Sequence, residues 1–244
     1  IPVFINNDGN LFAYGEALGG TLPKVNRMLE EAGSAMRYKN LLGITLGTGF
    51  GGGVVIDGKL LSGDNGCGGD VWLMRNSLYP ELIAEESVSI RAVRRVYREY
   101  AKEDARENLT PKDIFDIAEG IAEGNVNAAR QAFSQLGKAA ADAIVHALDI
   151  IDGLVVIGGG LSGAAKYIVP AMKEQMRSSL STFGGDHFPC LQSEVYDLNA
   201  TEELAEFLRD DSTLVQVPGA ERSVRYRNSR KTGIAVSSIG TSTA

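Results

Sequence analysis

Residues Gly43 to Asp70 read GITLGTGFGGGVVIDGKLLSGDNGCGGD. An apolar run, Ile44-Thr45-Leu46, enters a turn of almost pure glycine, and a second run, Val54-Val55-Ile56, leaves it. Asp57-Gly58 turns the chain again into Lys59-Leu60-Leu61. The pattern predicts strand, glycine loop, strand, tight turn, strand. A loop with so few side chains lets a second molecule approach the backbone, and its N–H groups can converge on an anion such as a phosphate. The Thr48 hydroxyl can donate one more hydrogen bond. The competing reading is a mobile glycine-rich hairpin that holds no ligand.

Gly47, Gly49 and Gly52 formally satisfy G-x-G-x-x-G. A dinucleotide fold needs a helix after those glycines, so that the helix N-terminus faces the pyrophosphate. Here a strand follows. No Lys-Ser/Thr pair follows either, which excludes a Walker loop. A phosphate-cradling hairpin turn is what remains.

Upstream, Ile1 to Ile5 reads as a strand, and Asn6-Asn7-Asp8-Gly9-Asn10 ends it and can cap a helix. Leu11, Phe12, Tyr14 and Leu18 predict a short helix stopped by Gly19-Gly20. Val25, Met28, Leu29 and Ala32 predict a second, closed by Gly33. Asp8 sits at a strand end, where α/β sheets handle their ligands. It can accept a proton from a hydroxyl-rich substrate gripped by the amides of Asn6, Asn7 and Asn10, or it can simply cap the helix.

Downstream, residues 82–104 read as helical, with Ile90, Val93, Val96, Tyr97 and Tyr100 on one face. Thr110-Pro111 starts another helix, whose apolar face runs from Ile114 to Ile121. Residues 125–151 carry the clearest helical spacing, through Val126, Ala129, Phe133, Leu136, Ala140, Ile144, Ala147 and Ile151. Its small side chains imply close packing in a core. Leu154-Val155-Val156-Ile157 then enters Gly158-Gly159-Gly160-Leu161-Ser162-Gly163, followed by a helix through Tyr167, Ala171 and Leu180. This second G-x-G-x-x-G has the strand-turn-helix context a nucleotide needs. The plain alternative is a tight turn whose glycines only permit the geometry. A strand at 194–198, a helix at 202–208 and a basic loop at 221–231 complete the reading. His146 and His187 receive no role.

With 244 residues, 44% hydrophobic and 23% charged, the chain can bury one large or two modest cores. A net charge of −7 argues against a nucleic-acid surface. Cys67 and Cys190 make neither a disulfide framework nor a zinc spacing. No apolar run approaches membrane-spanning length, and we expect a cytoplasmic protein that engages no membrane. The opening at Ile1 and the close at Thr241-Ser242-Thr243-Ala244 suggest that flanking residues are missing from both ends.

Three segments, taken in order, resemble the ROK family of sugar kinases. Phe4-Ile5-Asn6-Asn7-Asp8-Gly9-Asn10 with Gly15-Glu16 is similar to that family's sugar-site segment. Leu46-Gly47-Thr48-Gly49-Phe50-Gly51-Gly52-Gly53, with Asp57-Gly58-Lys59 after it, is similar to its second phosphate loop. Val156-Ile157-Gly158-Gly159-Gly160-Leu161-Ser162 is similar to its adenosine-side turn. The resemblance implies an α/β chain of the ribonuclease H-like, actin-like ATPase fold, with two related domains closing on ATP and a hexose. Residues 1–38 would end the N-terminal sugar-kinase domain, and residues 39–244 would form the C-terminal ATPase-like domain. Asp8 would be the general base, with Asn7, Asp8 and Asp70 binding the sugar. Thr48 and Gly49 would cradle the ATP phosphates, and Gly159 and Gly160 would approach the nucleoside. Magnesium would bridge the phosphates. The assembly expected is a homodimer.

The chain departs from the family pattern in three places. The opening Asp-x-Gly-Gly-Thr phosphate loop is absent, and we expect it before Ile1, so that residues 1–244 alone should not transfer phosphate. Where the family has Gly-Glu-x-Gly-His, this chain has Gly69-Asp70-Val71-Trp72-Leu73. Asp70 can stand in for the Glu with shorter reach, Leu73 cannot replace the His, and Trp72 either stacks on a sugar face or packs in the core. Asn76 to Glu81 replaces the cysteine-rich zinc loop, so no structural zinc is expected. The resulting expectation is an ATP-dependent, glucokinase-like hexose kinase. Its rivals are a sugar-sensing transcriptional regulator of the same family and a nicotinamide-dependent oxidoreductase built on Gly158–Gly163. The second lacks the acidic residue about 20 positions further on that a ribose contact requires.

Overall fold

The structure, a computed structural model, describes residues 5–102 and 108–239. The strands are β1 (Leu41–Leu46), β2 (Phe50–Ile56), β3 (Lys59–Leu60), β4 (Leu154–Gly158), β5 (Ser179–Ser181), β6 (His187–Pro189), β7 (Glu194–Asp197), β8 (Thr213–Gln216), β9 (Ser223–Tyr226) and β10 (Lys231–Val236). The helices are α1 (Asp8–Leu18), α2 (Thr21–Glu31), α3 (Ile90–Ala101), α4 (Pro111–Ala118), α5 (Val126–Ile151), α6 (Ala165–Met176) and α7 (Thr201–Leu208). One six-stranded sheet has the order β3-β2-β1-β4-β10-β7. The β3-β2-β1 part is antiparallel, and β1, β4, β10 and β7 are mutually parallel. Strands β5-β6 and β8-β9 form two separate ribbons.

Side chains alternate across a strand, so each strand serves two cores. Leu42, Ile44, Leu46, Val155 and Ile157 pack on one face with the helices between residues 90 and 176. Leu41, Leu154 and Val156 pack on the other with α1, α2 and α7. Both faces are covered, which is why the parallel strands read as unbroken apolar runs. Each Leu or Ile so buried contributes roughly 1.5–3 kcal/mol over exposure.

The division expected near residues 38–40 does not separate two cores. Phe12, Ala13, Val25 and Leu29 pack in one cluster with Leu41, Val55 and Val156. Residues 8–31 are therefore part of the layer that covers the 41–236 sheet.

The glycine hairpin also differs from its expected form. The turn is short, Gly47-Thr48-Gly49, and Gly51, Gly52 and Gly53 lie inside β2. The bareness of Gly52 makes room for Gly69 and Val71, and that of Gly53, with its partner Gly43 on β1, serves α1. A Cβ on Gly53 would lie 2.4 Å from the Gly9 carbonyl oxygen, and one on Gly43 would lie 2.7 Å from the Ala13 Cβ. Only glycines let the helix backbone come this close to the strands.

The helix expected over 82–104 begins at Ile90, where the Ser89 hydroxyl caps it by accepting from the Ala92 N–H. Residues 84–87 make a 3-10 turn instead, and 103–104 lie outside the described residues. Helix α4 has the expected Thr110 cap and Pro111 start, with Asp113 closing a capping box. It stops at Ala118 because Gly120 adopts φ 74°, which leaves Ile121 exposed rather than on the apolar face. Leu180 falls in β5, not on α6. The basic segment 221–231 contains β9 and leads into β10, a central strand. Most of the strand expected over Ile1–Ile5, and the terminal 241–244, lie outside the described residues; Ile5 itself is in no strand.

Candidate active site

Strands β1 and β4 run parallel, and the glycine turns that follow them sit at one end of the sheet. A cleft of about 740 Å³ opens there. Its walls come from the start of α1, the Gly47–Gly49 turn, the 3-10 turns at 71–73 and 84–87, and Gly159. Asn7, Asp8, Asp70, Thr48, Gly49 and Gly159 all line it.

The local chemistry of the front segment explains its placement. Asn7, not Asp8, is the helix cap: its carboxamide oxygen accepts from the Gly9 N–H at 2.9 Å. Asp8 is the first helical residue, and its Oδ1 accepts from the same N–H at 2.8 Å. A carboxylate in the first turn faces the positive end of the helix dipole. Both side chains are exposed to the cleft. Of the three asparagines expected to grip substrate, only Asn7 lines it. Asn10 is buried at 4% exposure. Asn6 is spent on local bonds, its Oδ1 accepting from the Asn7 N–H and the Asn10 amide. Glu16 turns inward entirely. Its carboxylate accepts from the Thr21 N–H at 2.7 Å and from the Ser237 hydroxyl, tying α1 to α2 and to the end of β10.

Glu85 lines the cleft and was not foreseen. Its Oε2 accepts from the Phe50 N–H at 3.1 Å, and its Oε1 lies 3.3 Å from Arg91. It thus pins the exit of the glycine turn while presenting a carboxylate to the hollow. Nothing in Ala84-Glu85-Glu86-Ser87 distinguishes it from its neighbour; only the fold does. Thr45 is a second such lining residue, read from sequence merely as part of a strand. Leu73 is 54% exposed and does not line the cleft, whereas Trp72 does.

At the Gly158–Gly163 turn the glycines divide. Gly159 has φ 87° and sits against β1, where a Cβ would lie 2.4 Å from the Leu46 oxygen. A Cβ on Gly158 would strike the Phe12 ring at 2.6 Å. Gly160 is exposed and, unlike Gly159, is not part of the cleft wall. Gly160 and Gly163 have open space around them. Two of the three glycines of this G-x-G-x-x-G are therefore under no steric demand, and helix α6 starts only at Ala165, after an intervening 3-10 turn. The dinucleotide reading loses its structural basis here.

The mixed sheet, covered on both faces and opening its ligand cleft at glycine turns, defines an α/β protein of the actin-like ATPase class. A sequence model of the ROK family matches residues 1–76 and 80–197. The chain belongs to the ROK family. It is 30% identical over 198 residues to a glucokinase of Halalkalibacterium halodurans, covering 73% of this chain and 54% of that one. A crystal structure of glucokinase from Parabacteroides distasonis superposes with TM-score 0.90 at 57% identity, over 99% of this chain and 65% of that one. A Streptomyces griseus ROK glucokinase in complex with glucose and AMPPNP shares the fold, with TM-score 0.57 at 19% identity over 100% of this chain and 65% of that one. The chain spans about half the length of the curated relatives it matches.

Proposed function

We propose that the protein phosphorylates a hexose with ATP, in the manner of a glucokinase, with Asp8 as general base. The observation that carries this reading is the convergence of Asp8 and Thr48, remote in sequence, on one cleft. Phosphoryl transfer requires chiefly positioning and charge stabilisation. Asn7 and Asp70 hold the sugar hydroxyls, and Asp8 takes the proton from the hydroxyl whose oxygen attacks the γ-phosphate in line. The Thr48 hydroxyl and the backbone at Gly49 hold the phosphates, and Gly159 flanks the nucleoside from the cleft wall, with Gly160 at the edge of that site outside the wall. Magnesium enters with ATP as part of the substrate and offsets phosphate charge beside the acidic lining. The similarity to glucokinases supports this reading over that of a sugar-sensing regulator.

Helices α1 and α2 belong in this proposal with residues 39–244 as one ATPase-like domain, because they share its core. No helix among the described residues is long and apolar enough to cross a membrane. A cytoplasmic location suits ATP as donor, and the assembly proposed is a homodimer.

The test uses the full-length protein. Hexose-dependent release of ADP is expected, and Asp8→Asn should lower kcat by about 10²–10⁴-fold, the usual range for a lost general base. Binding of the magnesium complex of ATP should persist. Wild-type turnover by that variant removes Asp8 from the mechanism. Sugar binding without turnover, together with affinity for duplex DNA, establishes the regulator instead.

A further inference from the structure

Three aromatic residues line the cleft: Phe12, Phe50 and Trp72. Phe12 and Phe50 are 2% and 1% exposed, so their rings belong to the two cores and offer no face. Trp72, the chain's single tryptophan, is only half-buried. It packs one side against the core while contributing to the cleft wall. Its carrier is a three-residue 3-10 turn, Val71–Leu73, fastened at both ends. The Val71 N–H donates to the Gly69 oxygen at 2.7 Å, and the Met74 N–H donates to the Val71 oxygen at 3.1 Å. Val71 itself presses on β2, where a Cβ on Gly52 would lie 2.7 Å from its Cγ2. The indole is thereby presented on a fixed mount beside Asp70.

We propose that Trp72 is the platform on which the sugar ring stacks, one face of a pyranose lying against the indole. This deepens, and rests on, the hexose-kinase reading. A pyranose such as glucose has faces made of C–H groups and a rim made of hydroxyls. The indole supplies a large apolar surface for a face. Asn7, Asp8 and Asp70, which share the cleft, supply acceptors and donors for the rim. Phe12 and Phe50 cannot take over this contact, being enclosed.

The test compares full-length wild type, Trp72→Ala and Trp72→Phe. Expected for Trp72→Ala is a rise in KM for glucose of tenfold or more with KM for ATP unchanged, beside a lower melting temperature from the lost core contact. Trp72→Phe should recover much of the loss. Glucose should also change the tryptophan emission without nucleotide, and Trp72→Phe should abolish that change. An unaltered KM for glucose in Trp72→Ala overturns the proposal while leaving the kinase reading intact. So does glucose binding, measured by calorimetry on wild type, with no change in emission; this arm holds even if Trp72→Ala does not fold. Absence of any hexose binding by wild type overturns the kinase reading and this inference with it.

Discussion

The placement of Asp8 rests on the residue after it. Gly9 lies so close to β2 that an added Cβ would sit 2.5 Å from the Gly52 oxygen and 2.9 Å from its nitrogen. Neither backbone atom can yield without moving a strand. Gly9→Ala should therefore cost about 1–3 kcal/mol, as overpacking does. In a chain of this size that lowers the melting temperature by roughly 2–4 °C per kcal/mol. Because the shift acts at the first turn of α1, kcat should fall with stability. A differential scanning calorimetry trace identical to wild type would show that α1 does not press on β2 as described. The glycines after β4 give a contrasting pair. Gly158→Ala meets the Phe12 ring at 2.6 Å and should destabilise, whereas Gly163→Ala meets nothing within 4 Å and should be neutral within about 0.5 kcal/mol. A large effect at Gly163 would restore the dinucleotide fingerprint.

Among the helices and strands, Glu203 is the clearest electrostatic joint. It lies on α7, pairs with Lys173 and Arg177 at the end of α6, and accepts from the Asp197 N–H of β7 at 2.8 Å. Partial burial pulls its carboxyl upward, but the hydrogen bonds from Lys173 and Asp197 outweigh that and hold it below the usual 4.5. A depressed carboxylate contributes stability that is fully present above the unfolded value and is lost as the pH falls through the folded one. Glu203→Gln should therefore lose about 1.5–3 kcal/mol at neutral pH, the scale for hydrogen bonds to a charged group. The gap from wild type should shrink below pH 4.5. Urea unfolding at several pH values measures it, and a gap independent of pH would assign the effect to packing. Much at this scale was legible in the chain. Helix α5 announced itself by apolar residues at three and four, and α4 by Thr110-Pro111. What failed had two kinds of cause. The helix start at Ile90 is local, set by the Ser89 cap, whereas Gly51–Gly53 resemble a turn because what packs on them, α1 at Gly53 and the Gly69–Val71 segment at Gly52, lies elsewhere in the chain. Asp8, Thr48 and Asp70, which motif context singles out as candidates, line one cleft. Glu85 was not legible, because a cleft-lining carboxylate carries no local signature.

At the scale of the molecule, the charge distribution makes a demand on the ligand. The chain carries a net charge of −7, and the described residues lining the cleft include Asp8, Asp70 and Glu85 but no lysine or arginine. Arg91 stands behind Glu85 and is shared with Glu86, at 3.3 and 3.0 Å. Backbone N–H groups at the glycine turn give partial positive charge, which suits a phosphate but does not neutralise three acids. A polyphosphate without its metal would thus meet a field of its own sign at distances shorter than the Debye length of about 8–10 Å, where salt screens poorly. Magnesium complexation removes two charges from the nucleotide and lowers that repulsion. For the full-length protein, chelating the metal should weaken ATP binding tenfold or more, or about 1.4 kcal/mol. Isothermal titration with ATP, with and without magnesium, measures the difference. Asp70→Asn should narrow the gap by strengthening the binding of metal-free ATP, since one like charge is gone. Equal affinity in both titrations would mean that cationic groups absent from the described cleft wall face the phosphates, and the electrostatic account of this site would have to be abandoned.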